Sequence, residues 1–148
     1  MIKALEKGNP GPAFIPGSEW DLAGTYDLIH TLQPKAVVTN NHHIPPMPGE
    51  DYQVFEQDLP GENTMGGNIT FISDRMLVTW NTLSAGWSYN PNDKAFKTAD
   101  NLGDHLKKCV ERGVFLFLNV GPMPDGRFQP EEIEILKGLG AWRRRSNV

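Results

Sequence analysis

The chain has 148 residues, of which 39% are hydrophobic and 22% are charged, so it has enough apolar material for one domain with a sizeable core. Its net charge of −4 shows no basic excess, which argues against nucleic acid or an acidic membrane surface as the partner. The single cysteine excludes a disulfide framework and a cysteine-based zinc site. No apolar run has the length of a membrane span and no secretory signal is visible, so the cytoplasm is the default expectation for its location.

The first part of the chain predicts an irregular lead-in followed by a domain. Residues 1–18 are rich in Gly and Pro and show no periodicity, whereas residues 19–148 carry the patterns of regular structure. Apolar residues recur at helical spacing from Asp21, and Pro34 ends this run, which predicts a helix. Residues 36–40 predict a short strand that is apolar on both faces, as parallel strands usually are.

The middle of the chain predicts one strand between two irregular stretches. Residues 41–74 form a long loop rich in Pro and Gly, and loops of this length in a compact domain are usually functional or disordered. Residues 76–80 predict the second strand. A second irregular stretch follows at residues 81–98.

The last third predicts two helices and the strongest strand. Asp100 is the expected N-cap of a helix that ends at Gly113. Residues 114–120 are a nearly continuous apolar run and predict the third strand. After a turn-rich loop, Pro130 is expected to open the last helix.

The order of these elements predicts an α/β fold with about three parallel strands, flanking helices and long strand-end loops. Ligands of such folds bind at the carboxyl ends of the strands, which is where the long loops lie. Three strands are fewer than half of an eight-stranded barrel, whose usual length is about 250 residues. The chain therefore resembles a piece of a larger architecture.

Carboxylates are concentrated in the loop after the first predicted strand. They are Glu50, Asp51, Glu56, Asp58 and Glu62. Carboxylates at strand ends suit acid/base chemistry because burial raises a carboxyl pKa, although a solvated acidic loop is the simpler alternative. His42 and His43 suggest a metal site at first, but adjacent side chains on an extended segment point apart, so we expect none.

Aromatic and isolated residues give weaker signals. Trp87, in a Gly, Ser, Asn and Pro setting, is a candidate platform for the apolar face of a sugar, whereas Trp80 ends a buried strand and is expected in the core. Cys109 lies on an apolar helix face and is expected to be structural. Asn68 begins an Asn-Ile-Thr glycosylation sequon, a triplet that is common by chance.

Four segments carry the most specific signal in the chain. They are WDLAGTYDLIHTLQPKAVVTNNHH (20–43), PGEDYQVFEQDLPGEN (48–63), GWSYN (86–90) and LNVGPMPDGRFQPEE (118–132). Together they resemble the α-L-fucosidases of glycoside hydrolase family 29, in that family's order. The resemblance implies a TIM-like barrel, of which this chain would hold the C-terminal part. It also implies retaining hydrolysis of terminal α-L-fucosides through a covalent fucosyl-enzyme, without metal or organic cofactor.

The resemblance also suggests which residues form the site. It implies Glu56 as the general acid/base, with Glu50 and Asp51 as rivals because the family's assignment of this residue varies between subgroups. The substrate-binding residues that we expect are His42, His43, Trp87 and Asn40. Asn119 is expected to support the floor of the site.

The chain departs from the family pattern in ways that bear on activity. No Asp precedes Asp21, so the nucleophile that the family carries in a Trp-x-Asp-Gly motif is missing. Asp21 or Glu19 would have to shift to replace it. Asn81 stands where the family has a carboxylate. The family's amino-terminal strands and its following sandwich domain are also absent.

Two functions stay open. Retaining hydrolysis needs two carboxyl groups about 5–5.5 Å apart, so the first hypothesis is a homo-oligomer of partial barrels with a composite fucosidase site. The second is a non-catalytic, truncated or degenerate fragment that binds fucose. The expected partners are a fucosylated glycan or small α-L-fucoside and further copies of the chain, with neither nucleic acid nor membrane.

Overall fold

The computed structural model describes residues 20–64 and 66–146. Within them the elements in chain order are α1 Leu22–Leu32, β1 Tyr52–Glu56, β2 Met76–Thr82, α2 Ala99–Glu111, β3 Val114–Asn119 and α3 Pro130–Ser146. The three strands form one parallel sheet in the order β1-β2-β3. This confirms the predicted α/β class with three parallel strands and flanking helices. The predicted lead-in over residues 1–18 lies outside the described residues.

The first strand is not where the sequence predicts it. Residues 36–40 form no strand, and β1 instead lies inside the predicted loop. Val37 is 64% exposed whereas Val38 is buried, so the run is not buried on both faces as a central parallel strand would be. The Val38 N–H donates to the Asp51 carboxylate (2.6 Å), and the Thr39 hydroxyl donates to the Tyr52 carbonyl (2.7 Å). Bonds to and from side chains therefore take the place of a regular backbone ladder.

The helices begin and end close to the predicted positions. Asp21 caps α1 as expected, and Pro130 is the first residue of α3. The N-cap of α2 is Thr98 rather than Asp100, because the Thr98 hydroxyl accepts the N–H of the third residue on (3.1 Å). Asp100 lies in the first turn, where its charge suits the helix dipole. Gly113 follows α2 with a φ of +67°, a backbone conformation that favours glycine.

The chain divides into two compact units, and the boundary falls within β2. The first unit ends at Val78 and the second begins at Thr79. Buried apolar residues of the first are Tyr26, Val38, Phe55, Leu59 and Val78, and those of the second are Leu83, Leu102, Cys109 and Val114. Each unit therefore has a small core of its own.

In the second unit, α2 packs against β3 and α3. A Cβ on Gly103 would lie only 2.8 Å or less from three ring atoms of Trp142, so glycine permits the close approach of the two helices. Cys109 is fully buried, and its burial raises the pKa of the thiol to about 11. No helix among the described residues is long and apolar enough to cross a membrane.

Candidate active site

Glu50 is almost completely buried in the first unit and is held by three donors. Its carboxylate accepts hydrogen bonds from the Tyr26 hydroxyl (2.8 Å), the ring of His42 (2.8 Å) and the Met47 N–H (3.0 Å). Its side chain is 1% exposed. Burial and the neighbouring Glu50 raise the pKa of Tyr26. Glu50 is therefore a buried, well-satisfied carboxylate.

His42 and Asn40 belong to the surroundings of Glu50. The Ile44 N–H donates to Nδ1 of His42 (3.2 Å), so Nε2 carries the proton that is donated to Glu50. Both ring nitrogens of His42 are therefore engaged within the unit. The Asn40 side chain forms a hydrogen bond with Tyr26 that acts to lower the pKa of Tyr26. We call Tyr26, Asn40, His42 and Glu50 the Glu50 cluster.

Asp51 follows Glu50 in the chain and binds a different segment, residues 36–40, through a backbone N–H. Its carboxylate accepts the Val38 N–H (2.6 Å) and lies 3.0 Å from Nε2 of His30. The Val38 N–H, followed by His30, lowers the pKa of this carboxyl, and the small burial of the group only partly opposes the shift. Asp51 therefore stays ionised and fastens residues 36–40 to the start of β1.

Glu56, at the end of β1, is more open than Glu50. One carboxylate oxygen accepts a hydrogen bond from the Asn41 amide (2.8 Å) and lies 3.6 Å from Nε2 of His43. The other oxygen has no hydrogen-bond partner among the described residues. The side chain is 30% exposed. A partly exposed carboxylate with these surroundings is of the kind that suits proton exchange with a ligand.

Two buried polar atoms beside Glu56 lack partners. They are Oδ1 of Asn41 and Nδ1 of His43, which make no hydrogen bond within the described part of the chain. His43 also has a φ of +54°, a conformation that few residues without glycine's freedom adopt. Buried polar groups are normally paired, so these two atoms are exceptions that need an explanation. We call Asn41, His43, Glu56 and Asn68 the Glu56 cluster.

Asn68, like Asn41, is a member of this cluster that the sequence did not identify as a site residue. It is 5% exposed, and its side-chain amide bonds the backbone of Glu56 and the carboxylate of Asp58. The buried, doubly donating Nδ2 makes Asn68 unsuitable as a glycosylation acceptor in the folded chain. A lone Asn in a Gly-rich loop carries no periodicity that predicts burial, so only the structure shows its role.

Trp87 lies in the second unit on a loop between β2 and α2. The residue is 37% exposed, and the Asn119 amide donates to its backbone carbonyl (2.7 Å). Lys97 closes the base of the loop, because its ammonium group donates to the Thr82 carbonyl (2.8 Å) and to the Asn81 side chain. Burial lowers the pKa of Lys97.

The remaining residues that the sequence singled out are Asp21, Glu19 and Trp80. Asp21 accepts the Gly24 N–H at the start of α1 (2.9 Å), and Glu19 lies outside the described residues. Trp80 is half-buried, with a buried Nε1 that has no partner among the described residues. Those residues also contain no group of three or more His, Cys, Asp or Glu that could hold a metal ion.

The family assignment rests on most of the chain. The model of the Alpha-L-fucosidase family matches residues 9–147. The chain belongs to the α-L-fucosidase family. No curated protein matches it.

Solved α-L-fucosidases share the fold of this chain. AlfC from Lactobacillus casei, in complex with the α-L-fucose product, is 21% identical with a TM-score of 0.68, over 91% of this chain and 38% of that chain. Isoenzyme 1 from Paenibacillus thiaminolyticus is 26% identical with a TM-score of 0.66, over 84% of this chain and 30% of that chain.

The same fold occurs in an α-L-fucosynthase from Thermotoga maritima, which is 23% identical with a TM-score of 0.63, over 84% of this chain and 25% of that chain. The chain thus spans about a quarter to two fifths of the length of these proteins. The predicted partial barrel of a fucosidase is therefore confirmed.

Proposed function

We propose that the chain takes part in retaining hydrolysis of terminal α-L-fucosides, with Glu56 as the general acid/base. The observation that carries this proposal is the half-exposed Glu56 carboxylate beside two buried polar atoms without partners, in a chain of the fucosidase family. A general acid must come within hydrogen-bond reach of the glycosidic oxygen, and an oxygen of Glu56 without a partner among the described residues supports this role.

The unpaired atoms beside Glu56 suit a ligand that is rich in hydroxyl groups. Oδ1 of Asn41 can only accept a hydrogen bond, whereas Nδ1 of His43 accepts or donates according to its tautomer. A sugar hydroxyl donates and accepts at the same time, so one hydroxyl or two adjacent ones can satisfy both atoms. We therefore propose Asn41 and His43 as fucose contacts. For the second unit we propose separately that Trp87, whose backbone carbonyl accepts a hydrogen bond from the Asn119 amide, is an aromatic platform for a sugar.

Glu50 and Asp51 have supporting roles in this proposal. The Glu50 carboxylate already accepts three hydrogen bonds and is buried, so it fixes the segment that carries Asn41 and His43 rather than delivering a proton. Asp51 fixes the neighbouring backbone through Val38. His42 and Asn40 contribute to fucose binding indirectly, through the Glu50 cluster.

The second carboxyl group comes from another copy of the chain in this proposal. Strand β3 lies at one edge of the described sheet, and its alternate residues Phe115 and Phe117 are 57% and 51% exposed. Exposed edges and apolar patches favour association, which would bring two partial barrels together. Sizing chromatography with light scattering is expected to give at least a dimer, and a monomer at micromolar concentration excludes the composite site.

Release of nitrophenol from 4-nitrophenyl α-L-fucoside tests the role of Glu56. The unmodified chain is expected to turn over, and Glu56→Gln to lose about a hundredfold or more, the usual contribution of a general acid/base. Glu131→Gln is the matched control, because Glu131 is exposed in the first turn of α3. Equal loss in both variants contradicts the assignment.

A second candidate function is fucose binding without catalysis. The carboxylates on either side of Glu56 in the chain are all engaged: Glu50 and Asp51 as above, and Asp58 with the amide of Asn68 (2.8 Å) and the Thr64 hydroxyl. This engagement favours a site with a single available carboxyl group. If the purified chain shows no turnover, calorimetry with L-fucose measures whether it binds the sugar. Binding supports this second function, and no binding indicates a purely structural role.

A further inference from the structure

At Glu56, the last residue of β1, the side chain of Asn68 makes the hydrogen bonds that a neighbouring strand would make. Its Oδ1 accepts the N–H of Glu56 (2.9 Å), and its Nδ2 donates to the carbonyl of the same residue (2.7 Å). The side-chain amide therefore pairs with both backbone groups of Glu56, as a strand would. Because a buried amide in this position has one orientation that satisfies all its atoms, it fixes the peptide on both sides of the Glu56 Cα.

The residue after Glu56 adopts an unfavourable backbone conformation. Gln57 has a φ of +58°, in the left-handed region that favours glycine. Nδ2 of Asn68 also donates to the carboxylate of Asp58 (2.8 Å), so one side chain bonds the residues before and after Gln57. Strained residues persist only where their surroundings determine the conformation, and Asn68 supplies that restraint.

We propose that Asn68 is a positioning residue for Glu56, and that it acts by holding Gln57 in its left-handed conformation. This inference rests on the proposed role of Glu56 as the acid/base. Without the restraint, Gln57 returns to a right-handed or extended conformation, and the peptide that carries Glu56 turns away from Asn41 and His43. Displacement of a catalytic group by about 1 Å can cost about a hundredfold in rate.

The first measurement follows the backbone and not the activity. Amide hydrogen exchange is compared in the unmodified chain, in Asn68→Ala and in Asn101→Ala, whose exposed side chain in α2 makes no described hydrogen bond. In Asn68→Ala we expect the Glu56 amide to exchange about tenfold faster or more, while α2 keeps its protection. Unchanged exchange at Glu56 overturns the proposal.

Rescue by glycine separates positioning from general loss of stability. Glycine adopts a positive φ without strain, so Asn68→Ala with Gln57→Gly is expected to recover most of the turnover lost in Asn68→Ala. The loss in Asn68→Ala is expected in kcat, about a hundredfold, with little change in KM. A double variant that is no better than Asn68→Ala overturns the proposal.

A milder variant covers the case in which Asn68→Ala does not fold. The exposed Asn63 side chain accepts the N–H of Asn68 (3.0 Å), and Asn63→Ala removes that support while the side chain of Asn68 keeps its own hydrogen-bonding groups. It is expected to accelerate exchange at Glu56 several-fold, and no change overturns the proposal. If the unmodified chain neither binds nor hydrolyses fucosides, the proposed function fails, whereas the exchange result still decides the role of Asn68.

Discussion

The Glu50 cluster and the Glu56 cluster take alternate residues of the segment 40–43 but are built in opposite ways. His42 donates to a carboxylate that is 1% exposed, whereas His43 approaches one that is 30% exposed. In the Glu50 cluster both ring nitrogens of the histidine have partners. In the Glu56 cluster, Nδ1 of His43 and Oδ1 of Asn41 are buried and have no hydrogen-bond partner within the described residues.

This difference separates a cluster that stabilises the fold from a cluster that we propose binds a ligand. A buried polar network that is fully paired stabilises one conformation. In a partly paired network, each unpaired group lowers the free energy of unfolding unless another molecule pairs with it. Among the described residues, the non-glycine residues with a positive φ are His43, which belongs to the Glu56 cluster, and Gln57, which follows Glu56. Strain and unpaired polar atoms together support the proposal that the Glu56 cluster binds a ligand.

The largest expected effect is on stability in the Glu50 cluster. Glu50→Ala leaves the Tyr26 hydroxyl, the His42 ring and the Met47 N–H without their acceptor. We expect the free energy of unfolding to fall by roughly 3 kcal/mol or more, because each buried unpaired donor costs about 1–3 kcal/mol. Glu56→Ala should cost under about 1 kcal/mol, the usual range for a partly exposed group.

Urea unfolding of the two alanine variants measures this contrast. Equal destabilisation by both would show that the Glu56 carboxylate is as structural as that of Glu50. It would remove the distinction between the clusters, whatever the turnover of the variants.

The histidine pair sharpens the comparison with a matched change. His42→Asn breaks a buried hydrogen bond to Glu50 and should lower the free energy of unfolding by about 1–2 kcal/mol. His43→Asn should leave it nearly unchanged, because Asn tolerates a positive φ. For L-fucose binding we expect the reverse order, with His43→Asn weakening the affinity about tenfold, or about 1.4 kcal/mol.

Calorimetry with L-fucose and urea unfolding on the same two proteins check both halves of this prediction. If both variants lose stability and affinity in parallel, the two histidines serve one network, and the proposed ligand contact at His43 is wrong.

The sequence predicted most of the fold because its signals there are local. Helical spacing, Asp21 and Pro34 defined α1, and the apolar run defined β3 with an error of one residue. The strand that it missed, β1, has alternating burial inside a stretch of Gly, Pro and acids. Composition indicated a loop there, and the pairing that makes it a strand comes from distant residues.

The candidate site was predictable only in part. The family resemblance pointed to Glu56, Glu50 and Asp51 together, and no local pattern separated them. Their difference is one of burial and partners, since Glu50 receives its hydrogen bonds from residues as far away as Tyr26. The burial and the role of Asn68 were not predicted for the same reason, because the partners of its side chain are 10 to 12 residues away in the chain.

The smallest expected effect concerns Asp51, which stands between the two clusters in the sequence. The Val38 N–H, and next His30, hold the pKa of this carboxyl below its ordinary value of 3.8, and Arg75 adds to the shift. A carboxyl whose pKa is lower in the folded state stabilises the fold above the unfolded pKa, and that contribution disappears as the pH falls through the folded pKa. Asp51 is 37% exposed, so solvent screening keeps its contribution small.

Asp51→Asn tests this prediction because asparagine does not titrate. The free energy of unfolding of the unmodified chain should decline as the pH falls from 5 to about 3, and the decline should be shallower in Asp51→Asn. Asp104→Asn, an exposed change in α2, is the control and should keep the original slope. Parallel slopes in all three proteins would mean that Asp51 does not fasten residues 36–40. The segment that carries Asn41 and His43 would then be held by the Glu50 cluster without a contribution from Asp51.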